Sequence, residues 1–282
     1  MIEQISISTD AIEFAALSAG DGPLMILVHG FPDTPHSYQS QLLHFSQQGY
    51  RVVAPWLRGY APSSAPSDGD YGVMSVGQDV LNIIDALDSS QAILVGHDWG
   101  AGAVNAAALL APDRVSHLIS SAVPYGPALM QGLAGNGDQQ RRSWYVFFFL
   151  TGLADHALAV DDFALVERLW DEWTGPDWLP QGDALSAVVE CFRQPGSVAA
   201  ALAYYRQTFA APPPEQYPPI QVPALYIHGE QDGCIGIEFG EPDQSLYSQG
   251  CEYQPVAGAG HFVHLEQADE FNRLVGEFIR NE

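Results

Sequence analysis

One aspartate stands where its neighbours could present it as a nucleophile. Asp98 lies in the segment Gly96-His97-Asp98-Trp99-Gly100, between two flanking glycines. This Gly-x-nucleophile-x-Gly spacing is typical of a sharp turn from a strand into a helix, because small residues let the two elements approach closely. Such a turn lifts the middle side chain above the edge of a sheet and places it at a helix N-terminus, where negative charge is favoured. We therefore predict that the Asp98 carboxylate is presented to a substrate.

The residue type at this turn decides which reaction could follow. A carboxylate with an ordinary pKa of about 3.9 is ionised at neutral pH and needs no base to activate it. A serine that attacked a saturated carbon would leave an ether, which water does not readily cleave, whereas Asp98 would leave an ester. The residue thus suits displacement at an sp³ carbon followed by ester hydrolysis. Taken alone, Asp98 would more simply be the N-cap of an ordinary helix, so the catalytic interpretation depends on partners elsewhere.

Two segments at the ends of predicted strands could supply those partners. Asp232 follows the strand 224–227, and His261 precedes the last predicted helix. The C-terminal ends of parallel strands lie on one edge of a sheet, which is the usual place for a site. We predict a triad of Asp98, Asp232 and His261, in which His261 deprotonates the water that cleaves the ester and Asp232 holds the imidazole. The N–H groups of Phe31 and Trp99 are the predicted oxyanion donors.

Each partner also has a simpler interpretation. Asp232 alone would be a turn residue, and His261 alone would be a histidine of a surface loop. Glu230 is the alternative to Asp232 as the acid. His29 could equally brace its own loop by a hydrogen bond, so it is given no role in the chemistry. The coincidence of Asp232 and His261 with the turn at Asp98 favours the triad.

The surrounding pattern predicts a sheet whose edge could carry these residues. Apolar runs predict strands, and apolar residues at helical spacing predict the helices between them. The predicted strands are residues 5–8, 12–17, 24–28, 50–54, 91–95, 115–119, 224–227 and 252–256, and the predicted core helices are 35–48, 73–87, 99–110 and 268–279. Strands that alternate with helices indicate an α/β fold, with a mostly parallel eight-stranded sheet and helices on both faces.

The alternation of strands and helices stops after residue 124. Residues 125–211 contain helical segments rich in Trp and Phe and no clear strand, and a proline-rich stretch follows at 212–219. Proline-rich segments are stiff, so this stretch is a suitable exit from an inserted unit. We predict a core domain of residues 1–124 and 215–282, with an α-helical cap, 125–214, inserted after the sixth strand.

Composition excludes several classes of function. The chain of 282 residues has 34 Asp and Glu against 10 Arg and no Lys, a formal charge of −24. Such a surface would repel nucleic acid and anionic membranes. Cys191, Cys234 and Cys251 are odd in number and widely spaced, which favours a reduced cytoplasmic protein over a disulfide framework or a zinc site. We assign them no role and expect no metal, no cofactor, no secretory signal and no membrane span.

These motifs together resemble a known family. His29-Gly30-Phe31-Pro32, the segment 96–100, Asp232 and His261 resemble the epoxide hydrolases of the α/β-hydrolase fold, whose close relatives are the haloalkane and haloacetate dehalogenases. The chain order of nucleophile, acid and histidine is also that of the α/β-hydrolases. The resemblance covers essentially the whole chain, cap included. It implies a cis peptide before Pro32.

The resemblance also implies proton donors in the cap. Opening an epoxide releases an alkoxide, whose conjugate acid has a pKa near that of water at about 15.7, so a tyrosine with a pKa of about 10 is a large help. In the epoxide hydrolases two cap tyrosines supply this proton, in segments similar to residues 143–145 and 204–206. The implied donors are Tyr145 and Tyr205, with Tyr204 as the alternative to Tyr205. Without that resemblance, tyrosines in an aromatic-rich helical unit would be packing residues.

A dehalogenase with the same nucleophile is the alternative function. Phe31 stands where one dehalogenase group has a halide-binding Asn, and Trp99 stands where the haloacetate group has Arg, which argues against it. However, Trp99 is itself a halide ligand in several dehalogenases, and a cap tryptophan could be a second donor. The candidates are Trp144, Trp170, Trp173 and Trp178.

Other functions fit the sequence less well. A binding protein without turnover would have a broken triad, and a cofactor-free non-hydrolytic relative is also less favoured. Attack by a carboxylate on an acyl carbon would give an anhydride, which disfavours an ester or amide hydrolase. The expected partners are a small apolar epoxide or halogenated compound and water, in a monomer or homodimer.

Overall fold

A computed structural model describes residues 1–178 and 183–280, and its centre is one sheet of eight strands. The strands are β1 (Glu3–Ser8), β2 (Glu13–Ala19), β3 (Leu24–Val28), β4 (Arg51–Pro55), β5 (Ala92–His97), β6 (Val115–Ser121), β7 (Ala224–Gly229) and β8 (Cys251–Val256). Their order in the sheet is β1-β2-β4-β3-β5-β6-β7-β8. Strand β2 pairs antiparallel with β1 and with β4, and all the other pairs are parallel. The predicted mostly parallel sheet is confirmed.

The central strands are buried along their whole length. Every residue of β3, β5 and β7 is buried, although side chains of a strand alternate between the two faces of a sheet. Both faces at the centre of the sheet are therefore covered, as a continuous run such as Leu24–Val28 predicts.

Helices cover the sheet and fill the long segment between β6 and β7. They are α1 (Gln39–Gln47), α2 (Val73–Ala86), α3 (Trp99–Leu110), α4 (Ala128–Gly135), α5 (Gly137–Arg142), α6 (Trp144–Phe149), α7 (Ala154–Ala157), α8 (Ala164–Trp173), α9 (Ala184–Phe192), α10 (Ser197–Thr208), α11 (Val263–Glu266) and α12 (Ala268–Phe278). Helices α2 and α3 pack on each other, and α1 packs on α12. The described residues between β6 and β7 contain helices α4 to α10 and no strand. We call this segment the inserted helices.

The sequence located the elements but missed the short turns. The predicted helix 35–48 is a 3-10 turn, Pro35–Tyr38, followed by α1, which ends beside Gly49 at a φ of 89°. Three further 3-10 turns (Pro112–Arg114, Ile237–Phe239 and Gln244–Leu246) and α11 were not predicted. Such turns contain too few residues to show a periodic apolar pattern. No helix in the described ranges is long and apolar enough to cross a membrane.

Candidate active site

The turn at Asp98 has the geometry that its glycines require. Strand β5 ends at His97, α3 begins at Trp99, and Asp98 between them has φ 53° and ψ −118°. A Cβ atom on Gly96 would lie 2.2 Å from the carbonyl oxygen of Gly100, and one on Gly100 would lie 1.9 Å from that of Val28. Only glycine fits at either position. A positive φ at a residue other than glycine is uncommon, and strained backbone of this kind often occurs at functional sites.

The two oxygens of the Asp98 carboxylate have different surroundings. Oδ1 accepts a hydrogen bond of 2.7 Å from the backbone N–H of Phe31. Oδ2 lies 3.6 Å from Nε2 of His261. The peptide bond between Phe31 and Pro32 is cis, as the resemblance implied. One carboxylate oxygen is thus held by the loop after β3, and the other faces the imidazole.

His261 and Asp232 form the second pair of the predicted triad. Nδ1 of His261 lies 2.9 Å from Oδ2 of Asp232. The other oxygen of Asp232 accepts backbone hydrogen bonds of 2.7 Å from Cys234 and 2.8 Å from Ile235, which fix the carboxylate. Glu230, the alternative acid, has an exposed side chain. The structure therefore brings Asp98, Asp232 and His261 together in one buried cluster.

The electrostatic balance at His261 favours its charged form. Burial alone would lower the pKa of His261, but its contacts with Asp232, Cys234 and Asp98 raise that pKa well above the ordinary value.

The backbone of His261 is held by hydrogen bonds from two sides. Its N–H donates to the carbonyl of Trp173 in α8, and its carbonyl oxygen lies 3.0 Å from Nε2 of His97. The imidazole is thus positioned by both the sheet edge and the inserted helices.

Tyr145 and Tyr205 face each other beside the triad. Their ring centroids are 5.9 Å apart, and Tyr205 contacts the rings of Phe31 and Trp99 at 5.4 Å and 4.9 Å. Both are buried, and burial together with the Asp98 charge raises the pKa of each hydroxyl well above its ordinary value. The hydroxyl of Tyr205 makes no hydrogen bond to the described part of the chain.

The neighbouring tyrosine points elsewhere. The hydroxyl of Tyr204 donates a hydrogen bond of 3.0 Å to the carbonyl oxygen of Arg58. The guanidinium of Arg58 is buried and paired with Asp79 at 2.6 Å, so this partner is fixed. The structure therefore distinguishes Tyr205 from Tyr204, a choice that the sequence left open.

The other candidate residues from the sequence are His29 and four tryptophans, and the structure shows what each of them contacts. Nε2 of His29 accepts from the N–H of Leu57 and its Nδ1 contacts Gly30, which braces the loop as the simpler interpretation holds. The indole N–H of Trp170 donates to the carbonyl oxygen of Pro32, so it is already used. Trp144 lies against Phe148, and Trp178 lies against Trp170. Of the four cap tryptophans, Trp173 contacts both Tyr145 and His261.

Cys234 is a residue of this cluster that the sequence analysis missed. Its Sγ atom lies 3.0 Å from the hydroxyl oxygen of Tyr145, and the side chain is fully buried. Burial raises the pKa of its thiol, whereas His261 lowers it. The only signal available in the sequence was its position two residues after Asp232.

An apolar cavity of about 680 Å³ adjoins the turn at Asp98. It lies between α3, the first residues of α2 and the segments that lead into and out of the inserted helices. Its lining includes Met74, Trp99, Leu109, Leu129, Met130 and Tyr217. Trp99 therefore has Tyr205 on one side and this cavity on another.

Comparisons with known proteins agree with the fold and the motifs. The sequence model of the α/β hydrolase fold family matches residues 23–268. An epoxide hydrolase of Caballeronia sordidicola is 30% identical over 316 residues, covering 99% of this chain and 94% of the relative. Epoxide hydrolase 4 of Mus musculus is 28% identical, covering 99% of this chain and 79% of the relative. A crystal structure of a Bacillus megaterium epoxide hydrolase with an inhibitor has a TM-score of 0.87 at 28% identity, covering 98% of this chain and all of that one.

The chain belongs to the α/β-hydrolase fold family, whose sequence model spans most of its length. Within that family it is a hydrolase of the epoxide hydrolase group.

Proposed function

We propose that this protein hydrolyses an epoxide to a vicinal diol through a covalent ester on Asp98. The observation that carries the proposal is that the two oxygens of the Asp98 carboxylate have different contacts. Oδ1 of Asp98 is held by the N–H of Phe31, while Oδ2 faces the His261–Asp232 pair beneath two buried tyrosines. This arrangement suits attack by one oxygen and later stabilisation of an oxyanion on the other.

In the first step Oδ2 of Asp98 attacks a carbon of the epoxide ring. The C–O bond of the ring breaks, and the hydroxyls of Tyr145 and Tyr205 supply the proton for the developing alkoxide. The raised pKa values of both tyrosines keep them protonated at neutral pH, which a proton donor requires. In this proposal the inserted helices act as a cap, residues 125–214, which supplies both donors and excludes bulk water from the ester.

In the second step water cleaves the ester. His261 takes a proton from the water, which attacks Cγ of Asp98, and Asp232 stabilises the imidazolium that results. The bond from Cγ to the substrate oxygen then breaks, the imidazolium gives its proton to that oxygen, and the proton left on the Asp98 carboxyl group restores the tyrosine hydroxyl. The developing oxyanion accepts hydrogen bonds from the N–H groups of Phe31 and Trp99. Formation of the ester removes the negative charge of Asp98, which holds the pKa of His261 up in the free enzyme. Loss of that charge lowers the pKa of His261, so a larger fraction of the imidazole is neutral and able to accept a proton once the nucleophile has reacted.

The surroundings of the site point to an apolar substrate. Aromatic rings of Phe31, Trp99 and Trp173 flank the tyrosines, and the adjoining cavity is lined mainly by apolar side chains. Apolar walls with a few convergent polar groups are typical of small-molecule sites. We propose that a small epoxide with an apolar substituent is the substrate class.

Replacing both tyrosines should separate epoxide opening from halide displacement. Wild type should convert styrene oxide to its diol, and the Tyr145→Phe/Tyr205→Phe double variant should lose about 10²–10⁴-fold in kcat, the usual contribution of general acid catalysis. Halide departure needs no proton, so the same variant tests the alternative function with a brominated alkane. Diol formation and bromide release are measured side by side.

Tyr204→Phe is the matched control, because it removes an adjacent hydroxyl whose partner is the carbonyl of Arg58. It should stay close to wild type. The dehalogenase alternative has one observation in its favour: the indole N–H of Trp99 makes no hydrogen bond within the described residues. Bromide release that persists in the double variant, with no diol from any protein, would select that alternative.

The pH dependence of kcat should follow from His261 and the two tyrosines. Hydrolysis requires neutral His261, so kcat falls as the pH drops through the pKa of His261 in the ester form. That pKa lies below the value in the free enzyme, since the charge on Asp98 is gone. On the alkaline side both tyrosines have raised pKa values, so no loss is expected up to the ordinary tyrosine value of about 10. A pH profile of kcat checks this, and an alkaline loss well below pH 10 that moves in Tyr205→Phe would contradict it.

A further inference from the structure

Cys234 shares its surroundings with two residues of the triad. One ligand atom from each of Asp232, Cys234 and His261 lies within 4.8 Å of the others, and all three residues are buried. A thiol, an imidazole and a carboxylate therefore converge on one point. The thiol has no part in the proposed reaction, so its position needs a separate account.

The donors in this cluster are those of a zinc-type site. Thiolate sulfur, imidazole nitrogen and carboxylate oxygen are the protein ligands that Zn²⁺ takes, at about 2.0–2.3 Å in tetrahedral geometry. Three protein ligands leave a fourth position open. Thiolate also favours zinc and other thiophilic ions over magnesium or calcium, which prefer oxygen.

A thiol is the feature that distinguishes this cluster from the other one that the described residues form. Nδ1 of His261 lies 2.9 Å from Oδ2 of Asp232 and Nε2 lies 3.6 Å from Oδ2 of Asp98, so a cation would replace the contact between His261 and Asp232. The other buried cluster of this kind, Asp33, His97 and His264, has no thiol, and the hydroxyl of Ser37 already contacts Asp33 and His264. Of these two clusters, only the one at Cys234 therefore offers a soft donor.

We propose that Asp232, Cys234 and His261 form a binding site for a thiophilic divalent cation such as Zn²⁺, and that its occupation blocks the enzyme. Binding displaces the proton of the Cys234 thiol and one proton of the His261 imidazolium to solvent, so that bonds from the metal to sulfur and to nitrogen replace the S–H and N–H bonds. No redox change is involved. The ion holds the imidazole and a triad carboxylate, so His261 can no longer accept a proton from water.

The binding part of this inference is independent of the proposed function, whereas the inhibition rests on it. Purified protein is titrated with Co²⁺, and binding is followed by the charge-transfer absorption from thiolate to cobalt. A separate titration with Zn²⁺ is followed by calorimetry. Wild type should show the band and bind Zn²⁺ with one site. Cys234→Ala should lose the band and bind Zn²⁺ at least about 100-fold more weakly. Cys191→Ala and Cys251→Ala, which remove the other two buried thiols, should bind as wild type does.

Turnover of styrene oxide then shows whether metal binding blocks the enzyme. Zn²⁺ should inhibit the wild type, and a chelator should reverse this inhibition. Zn²⁺ should inhibit Cys234→Ala far less. The activity of each protein is compared with its own activity without metal. Cys234→Ser, checked by circular dichroism, covers the case in which the alanine variant does not fold. Absence of the cobalt band in wild type, or its persistence in both Cys234 variants, would contradict the proposed metal site. Metal binding without diol formation in any protein would instead count against the proposed function alone.

Discussion

Asp98→Ala should abolish epoxide hydrolysis, with a fall in kcat of about 10⁴–10⁶-fold, because loss of the nucleophile removes the covalent route as a unit. What remains, the N–H of Phe31 and the two tyrosines, can bind and polarise an epoxide but has no group positioned to open it. The fold should survive, since alanine removes a carboxylate from a turn whose glycines set its shape. Steady-state assay of diol formation and circular dichroism measure the two expectations.

Asp88→Ala is a fitting control for that variant. Asp88 also has a positive φ, 57°, but it is exposed at the end of α2. Its replacement should leave turnover within a few fold of wild type. A single turnover in water enriched in heavy oxygen adds a direct test, because water attacks Cγ and the label must enter the Asp98 carboxylate. Label that appears in the diol and never in the Asp98 peptide would mean that water opens the epoxide directly.

The local part of the site could be predicted from the sequence because its causes are local. The spacing of Gly96, Asp98 and Gly100 specifies a turn in which only glycine fits at the two flanking positions, and the helix predicted at 99–110 is α3, residue for residue. The strand ends that carry Phe31, Asp98 and Asp232 follow from the short continuous apolar runs that predict buried strands. The order of the strands then places those ends on one edge.

The parts that could not be predicted depend on partners distant in the chain. Tyr204 and Tyr205 are adjacent, and the helical pattern of α10 allows either to face the site. The carbonyl of Arg58, held by the buried pair with Asp79, takes the hydroxyl of Tyr204 and leaves Tyr205 beside Asp98. Cys234 was overlooked for a similar reason, since its contact with Tyr145 joins residues 89 positions apart.

His261→Gln should stop the reaction halfway and leave the protein alkylated. Asp98 needs no base for its attack, and both tyrosines remain, so the ester still forms. Without the imidazole no group deprotonates the water, and kcat should fall by about 10²–10⁴-fold. Intact-protein mass spectrometry should show an added mass equal to one epoxide, and peptide mapping should place it on Asp98.

The accumulation of ester is what distinguishes the proposed two-step route from direct attack by activated water. If His261 activated water against the epoxide itself, His261→Gln would lose turnover without any adduct. His36→Gln provides the comparison, because this half-buried histidine contacts Trp56 away from the triad and should turn over without accumulating ester. The double variant Asp98→Ala/His261→Gln should show no adduct, since the adduct requires the carboxylate. Its appearance there would place the nucleophile on another residue.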